Sequence, residues 1–447
     1  MSELISALQG AVRELGASVH LVGGCVRDRL LGRATKDYDA VTSGDPKPLI
    51  EAAARAAQAS PFLLDPETRT YRASLPTGEH LDLCPMRGTI EEDLRLRDFT
   101  VDALAVPLEA VPTAMLEEWG RIGSGSVETS AEQLRALVVD PTGGLADLEA
   151  RVLRLGYEGA FADDPVRLLR AVRLAANSDL TIEPATEQAL RAQCKLLEGA
   201  AAERVRDELL LLLLAPGCSA WLERSREWGL LELVLPELVE MVGVEQSLPH
   251  QLDVWRHTLD ILDNLRMLLD DPRPWAGRWM SEVTQRISAP GGHALPRRAF
   301  LMLAALLHDV GKPPTQSRDE EGRIRFFEHG PMGAEMAGLI ARRLRLSGRE
   351  TDRLSRTVRY HLRPLLLSQQ EQPTDRALYH FFRDLGESAL DALLLSLAET
   401  ESQAIQRRPG ERERQCEFVL RLLDELFLAS PVAAPRLLLS GREIISR

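Results

Sequence analysis

In a chain of 447 residues, Asp37 and Asp39 are the pair best placed by type and spacing to do chemistry. They stand two apart in KDYDAVT, and on a β-strand side chains two apart share a face. Two carboxylates on one strand face can bridge a pair of Mg²⁺ ions about 3.5–4 Å apart, as in-line displacement at a nucleoside triphosphate requires. Just upstream, Val19–Val22 reads as a short strand ending in Gly23-Gly24, and Val26–Leu31 reads as a helix. Such a turn lets backbone approach a triphosphate, while the helix N-terminus and Arg27 favour its charge. Asp82, in HLDLCPMR on a neighbouring strand candidate, could be a third carboxylate facing the same metals. Alone, a DxD is usually a solvated strand end and a GG usually a turn. In this order and spacing they argue together for phosphate chemistry.

A second constellation lies far downstream. HQLDVWRHTLDIL carries His257 on a helix, AALLHDVGKP gives adjacent His308-Asp309, FFEHGPMGAEMA gives His329, and VRYHLRPL gives His361. Imidazoles and carboxylates drawn from several helices are how helical bundles build metal sites. Between His329 and His361, Arg342, Arg345, Arg349, Arg353 and Arg356 step by three or four and read as one helical stripe. It is either a phosphate track for RNA or a solvated face balanced by Glu350 and Asp352.

The elements that must position these groups fall into two kinds. The first 110 residues mix strands with helices; Asp37–Val41, Thr70–Leu75 and His80–Cys84 are strand candidates. Residues 106–139 read as an acidic, loop-like insert. From Asp147 onward the β signal disappears, and Leu-, Ala- and Arg-rich segments with helical spacing run almost to the end. They are interrupted by Asp270–Pro296, which reads as a domain-level loop. Hydrophobic and charged fractions of 45% and 27% are ordinary, which excludes a disordered or fibrous chain. The net charge of −13 argues against nucleic acid only as a total. Residues 1–150 hold 14 basic and 24 acidic side chains, residues 151–250 hold 11 and 16, and residues 251–447 hold 29 and 27. An RNA-binding face would therefore be local. Five scattered cysteines without a CxxC pair point to a reduced interior, and no apolar run approaches a membrane span. A cytoplasmic, soluble protein is expected.

GGCVRDRLLG…KDYDAVT resembles the signature of the polymerase-β-like nucleotidyltransferases, specifically the class II tRNA nucleotidyltransferases (CCA-adding enzymes) and bacterial poly(A) polymerases. EEDLRLRDFTVDALAV resembles that family's ribose-reading motif, usually RRDFTINAL. DPTGGLADLEARVLR is similar to its hinge motif, DDPVRLLRAVRLAAN to its base-selecting EDxxR motif, and AAERVRDEL to the helical motif that follows. The run LLHDVGKP, with the earlier H-T-L, resembles the HD phosphohydrolases, which some CCA-adding enzymes carry at the C-terminus.

The resemblance implies an α+β protein: a nucleotidyltransferase head with a small mixed sheet at 1–145, a helical neck at 146–248, an HD domain at 249–405 and a helical tail at 406–447. Asp37 and Asp39 would hold catalytic Mg²⁺, and Gly23, Gly24, Arg27 and Asp28 would shape the triphosphate pocket. Arg97 and Asp98 would meet the ribose or position the nucleotide. Asp164 and Arg167 would read the Watson–Crick edge of CTP or ATP. Arg170 and Arg173 would serve phosphates or only the helix surface, and Arg204 and Arg206 of the following motif would meet RNA. In the HD part, His257, His308 and Asp309 would be metal ligands, His329 and His361 would hold a second ion, and Glu399 takes the place of the family's closing Asp. That metal would be a divalent transition ion or Mg²⁺. Three further departures stand out: Leu96 for the first Arg of RRD, Asp102 for its Asn, and Asp163 for the Glu of EDxxR. The partner implied is the tRNA 3′ end. Full CCA, CC-only, A-only and poly(A) addition all fit these letters, as does an HD phosphohydrolase with an RNA-binding head.

Overall fold

The computed structural model describes residues 3–119, 132–292, 295–370, 372–407 and 409–428. It divides into two compact units: Met1–Arg167 with Ser178–Gln193, and Leu168–Asn177 with Cys194–Arg447. The first unit runs past the hinge motif.

The first unit is built on a six-stranded mixed sheet. Its strands are β1 (Val19–Val22), β2 (Asp37–Thr42), β3 (Ser60–Asp65), β4 (Thr70–Ser74), β5 (His80–Pro85) and β6 (Ala105–Pro107), in the order β3-β4-β5-β2-β1-β6. β2 runs parallel to β5 and antiparallel to β1. In β2, Tyr38 and Ala40 are buried while Asp37 and Asp39 are exposed, as period-two alternation on a half-covered strand requires. Helices α1 (Glu3–Leu15), α2 (Gly24–Leu30), α3 (Pro46–Ala56) and α4 (Ile90–Arg95) belong to this unit. α1 buries Leu4, Ile5, Leu8 and Val12, and α3 buries Leu49, Ile50 and Ala53. The start of α3 is fixed by Pro46 in its first turn and by the Asp45 carboxylate, which accepts from Lys47 N.

The region 106–139 is less loop-like than expected. It contains part of β6, a 3₁₀ turn at Leu108–Ala110 and α5 (Thr113–Glu118), and Val139 pairs with Ala105. Residues 120–131 of that region lie outside the described residues. Strand pairing also persists beyond Asp147. Val152–Leu153 runs parallel to Thr181–Ile182, and Gln316–Arg318 pairs with Ile324–Phe326.

The second unit is helical. The helix Ala389–Glu401 is apolar nearly all round and buried along almost its full length, as a central helix must be. Val254–Asp270, capped by Asp253, packs on it and on Arg297–Leu307, whose residues from Ala299 to Leu307 are all buried. The expected loop Asp270–Pro296 instead holds the helices Arg273–Ala276 and Met280–Ser288 and lies inside this unit. The expected arginine stripe is likewise broken. One helix ends at Arg343, Arg345 has φ 57°, and a second helix, Gly348–Tyr360, starts anew from a Ser347/Glu350 capping box.

Candidate active site and metal centre

In the first unit, Val22 is the register partner of Asp39, so the turn at Gly23 begins beside that carboxylate. Gly23 has φ 72°, which disfavours side chains, and an added Cβ would meet Arg97 Nη1 at 3.0 Å and Asp39 Oδ2 at 3.9 Å. The glycine turn, Asp39 and Arg97 are thus brought together. Across the sheet, Asp39 is the register partner of Asp82 in the parallel β2–β5 pair, and Asp82 is that of Arg72 in the antiparallel β4–β5 pair. Asp82 therefore stands beside Asp39, but Arg72 donates to both of its oxygens at 2.6 Å. The bond to Asp82, with the charges of Asp37 and Asp39 behind it, raises the Arg72 pKa further above its ordinary value. Arg72 was not singled out in the sequence; its signal was its cross-strand position opposite an acid.

Arg27 is buried and committed internally. It donates to Asp28 at 2.9 Å and forms an ion pair with buried Asp102, so it meets two carboxylates. Arg97 donates to Asp93 at 3.4 Å, and Asp93 also accepts from Arg87. The Asp98 carboxylate accepts from Phe99 N at 3.0 Å, while its carbonyl accepts from Gly156 N at 2.7 Å. A Cβ on Gly156 would lie 2.2 Å from the Arg97 carbonyl, and one on Gly144 would lie 2.0 Å from that of Thr100. These two glycines let the hinge segment close on the RDF backbone.

Asp163, Asp164 and Arg167 gather around Tyr157. The Tyr157 hydroxyl donates to Asp163 at 2.6 Å and accepts from Arg167 at 2.9 Å; Arg167 also donates to the Ala160 carbonyl and stands 3.9 Å from Asp164. Burial, then the bond to Asp163, raises the Tyr157 pKa. Tyr157 was also missed by sequence reasoning. In the second unit, Arg170 is half-buried and Arg173 is clasped by Glu208.

Of the expected RNA contacts, Arg204 is exposed, whereas Arg206 is buried and donates to Asp207 and the Arg345 carbonyl. Arg349 pairs with Glu387, Arg353 with Asp391 and Arg356 with Asp352. The balancing acids thus include Glu387 and Asp391 from another part of the chain.

The downstream histidines converge. His257 Nε2 lies 3.5 Å from both Asp309 Oδ2 and Glu399 Oε1, and His308 Nε2 lies 3.1 Å from the same two atoms. His329 Nε2 and His361 Nε2 approach Asp309 Oδ1 at 3.6 and 3.8 Å. One carboxylate therefore joins two potential cation-binding groups, His257–His308–Asp309 and Asp309–His329–His361. The Nδ1 atoms of His308, His329 and His361 face the carbonyls of Ala305, Phe326 and Val358 at 2.7–2.8 Å, which directs each Nε2 inward. The Nε2 atoms of His257 and His308 are buried without a hydrogen bond of ordinary geometry. Such orphaned acceptors beside carboxylates are what a divalent cation satisfies. Burial alone would lower the His308 pKa, but Asp309 and Glu399 outweigh it and push it up to about 10. Burial and the neighbouring His308 push His361 down to about 3. Lys312, overlooked in the sequence one helical turn beyond Asp309, reaches its Oδ2 at 2.6 Å and Gln246 at 2.7 Å. The centre opens on a largely apolar cleft of about 660 Å³ whose walls include Lys312, Phe326, Phe327 and Leu366.

Three family models match in order along the chain. They are the poly A polymerase head domain at residues 19–87, the probable RNA and SrmB-binding site of polymerase A at 179–241, and the HD domain at 254–402. The chain is 35% identical to an A-adding tRNA nucleotidyltransferase of Deinococcus radiodurans, over 95% of this chain and 86% of that protein. It is 33% identical to a CC-adding tRNA nucleotidyltransferase of Thermus thermophilus, over 95% and 84%. In fold it is similar to the Thermotoga maritima CCA-adding enzyme complexed with tRNA, with TM-score 0.57, 20% identity and coverage of 99% and 85%.

Proposed function

Because this chain belongs to the family of tRNA nucleotidyltransferases and poly(A) polymerases, we propose that it adds C, A or both to the 3′ end of tRNA from CTP and ATP. The observation that carries this reading is the pair of exposed carboxylates, Asp37 and Asp39, on one face of β2 beside the Gly23 turn. Their spacing and exposure suit Mg²⁺, which when bound supplies activation of the primer hydroxyl and charge for the pyrophosphate. Asp82 stands beside Asp39 with its charge balanced by Arg72.

The 3′ hydroxyl of the primer attacks the α-phosphate, and pyrophosphate leaves in line. Backbone at Gly23-Gly24 accommodates the triphosphate, and Arg97, held by Asp93, orients the nucleotide. Asp164 and Arg167 offer an acceptor and a donor to the base edge, and Tyr157 with Asp163 keeps Arg167 in place. Cytoplasmic location follows from this reading; among the described residues no helix is long and apolar enough to cross a membrane.

A second activity is supported by the convergence of His257, His308, Asp309 and Glu399. The two imidazoles in this set suit a first-row divalent transition ion better than Mg²⁺, and an ion held there would supply a nucleophile for hydrolysis of a phosphoester. The lengthened Glu399 still reaches both imidazoles.

The test supplies tRNA transcripts ending before, within and after CCA, with CTP alone, ATP alone or both, and reads product length. Addition confined to tRNA ends supports the proposal; long A-tails on unrelated RNA would replace it with poly(A) polymerase.

A further inference from the structure

A pocket of about 470 Å³ in the second unit is lined by Arg286, Arg297, Arg349 and Arg353 and shares no lining residue with the cleft at the histidines. Two of these arginines share Asp391, which is buried and holds both guanidiniums at once. Arg297 Nε donates to Oδ1 at 3.0 Å, and Arg353 donates through Nε to Oδ2 at 2.6 Å and through Nη2 to Oδ1 at 3.3 Å. One carboxylate between two cations leaves a positive charge in excess and fixes both forks. Arg297 also donates to the Glu387 carbonyl at 2.6 Å.

The rim adds two cations. Arg286 lies over the Phe427 ring at 4.6 Å, and burial followed by the charge of Arg297 lowers its pKa, as expected of a cation facing another cation. Arg349 pairs with Glu387, but the two side chains are 81% and 66% exposed, so water screens the pair and an incoming anion can displace the carboxylate. The remaining acid of the lining, Glu350, accepts from Ser347 N at the start of its own helix.

We propose that this pocket binds a backbone phosphate of the RNA substrate. Four guanidiniums stand against the three carboxylates of Asp391, Glu387 and Glu350, an excess of one that matches the single charge of a phosphodiester better than that of a triphosphate. The choice of RNA rests on the transferase reading above; the anion site itself rests on the guanidiniums.

The test is tRNA binding across a salt series with full-length protein and the Arg286→Gln/Arg349→Gln double variant, which leaves the Asp391 pedestal intact. An Arg273→Gln/Arg323→Gln variant removes the same charge elsewhere on the surface. The pocket variant should bind tRNA several-fold more weakly, and its log K against log salt should be shallower by about one. The control should keep the wild-type slope, and thermal melting should show both variants folded. An unchanged slope in the pocket variant, or an equal loss in the control, overturns the site. If inorganic phosphate binds the wild type but not the pocket variant while tRNA affinity is unmoved, the site takes free anions and the RNA assignment fails. Absence of nucleotide addition by wild-type protein would instead sink the transferase reading alone.

Discussion

Asp102 stands where the resembling motif has asparagine, and the charge it adds is used: it pairs with buried Arg27, which Asp28 holds from the other side. An Asp102→Asn variant keeps the shape but removes the countercharge. Stability to urea should fall by about 1–3 kcal/mol, because a buried guanidinium loses a charged acceptor. KM for CTP and ATP should change by the same factor, since Arg27 adjoins the turn that would hold the triphosphate both share; a shift for one nucleotide only would place Asp102 at the base instead. At this scale the sequence marked candidate residues and said less about what they touch. The identity of Asp37, Asp39, Asp164 and Arg167 could be taken from motif letters. That Arg72 occupies Asp82, or that Tyr157 links Asp163 to Arg167, depends on strand register and a turn that no local pattern specifies.

At the scale of elements, β2 was legible because buried and exposed positions alternate through Tyr38, Asp39 and Ala40. β3 was not, since Phe62, Leu63 and Leu64 are all exposed at the sheet edge and show no alternation. The arginine spacing suggested one long helix, although the Ser347–Glu350 capping box already marked a new start. The helices that bring the histidines together also set a pH response. In metal-free protein, burial followed by His308 holds His361 at about 3, and burial followed by Lys312 holds His250 at about 4. Both are lowered, so their contribution is present above the unfolded value of about 6.5 and is lost as pH falls. His308 is raised to about 10, so its contribution is present below about 6.5 and is lost as pH rises towards 10. Melting of chelated protein should therefore be highest near pH 6.5 and decline on both sides. A monotonic profile would contradict this arrangement of charges.

For the whole molecule, the total charge of −13 conceals how the acids are used. In the first unit Asp82, Asp93 and Asp147 are each engaged by arginine, while Asp37 and Asp39 remain exposed on β2. In the second unit Arg349, Arg353 and Arg356 of the expected open track are paired, and Arg353 shares buried Asp391 with Arg297. The division of labour was legible as a mixed head followed by helices; the close approach of Gly144 and Gly156 to the backbone of Thr100 and Arg97 was not, because it joins segments some 45–60 residues apart. The central claim is that nucleotide transfer takes place at the β2 carboxylates. Its most direct test is single-turnover incorporation of labelled CMP or AMP into tRNA by Asp37→Asn, a near-isosteric change at an exposed position. The loss should exceed the roughly 100-fold expected for removing an outer-shell partner, with melting unchanged. Incorporation at the wild-type rate would contradict the account.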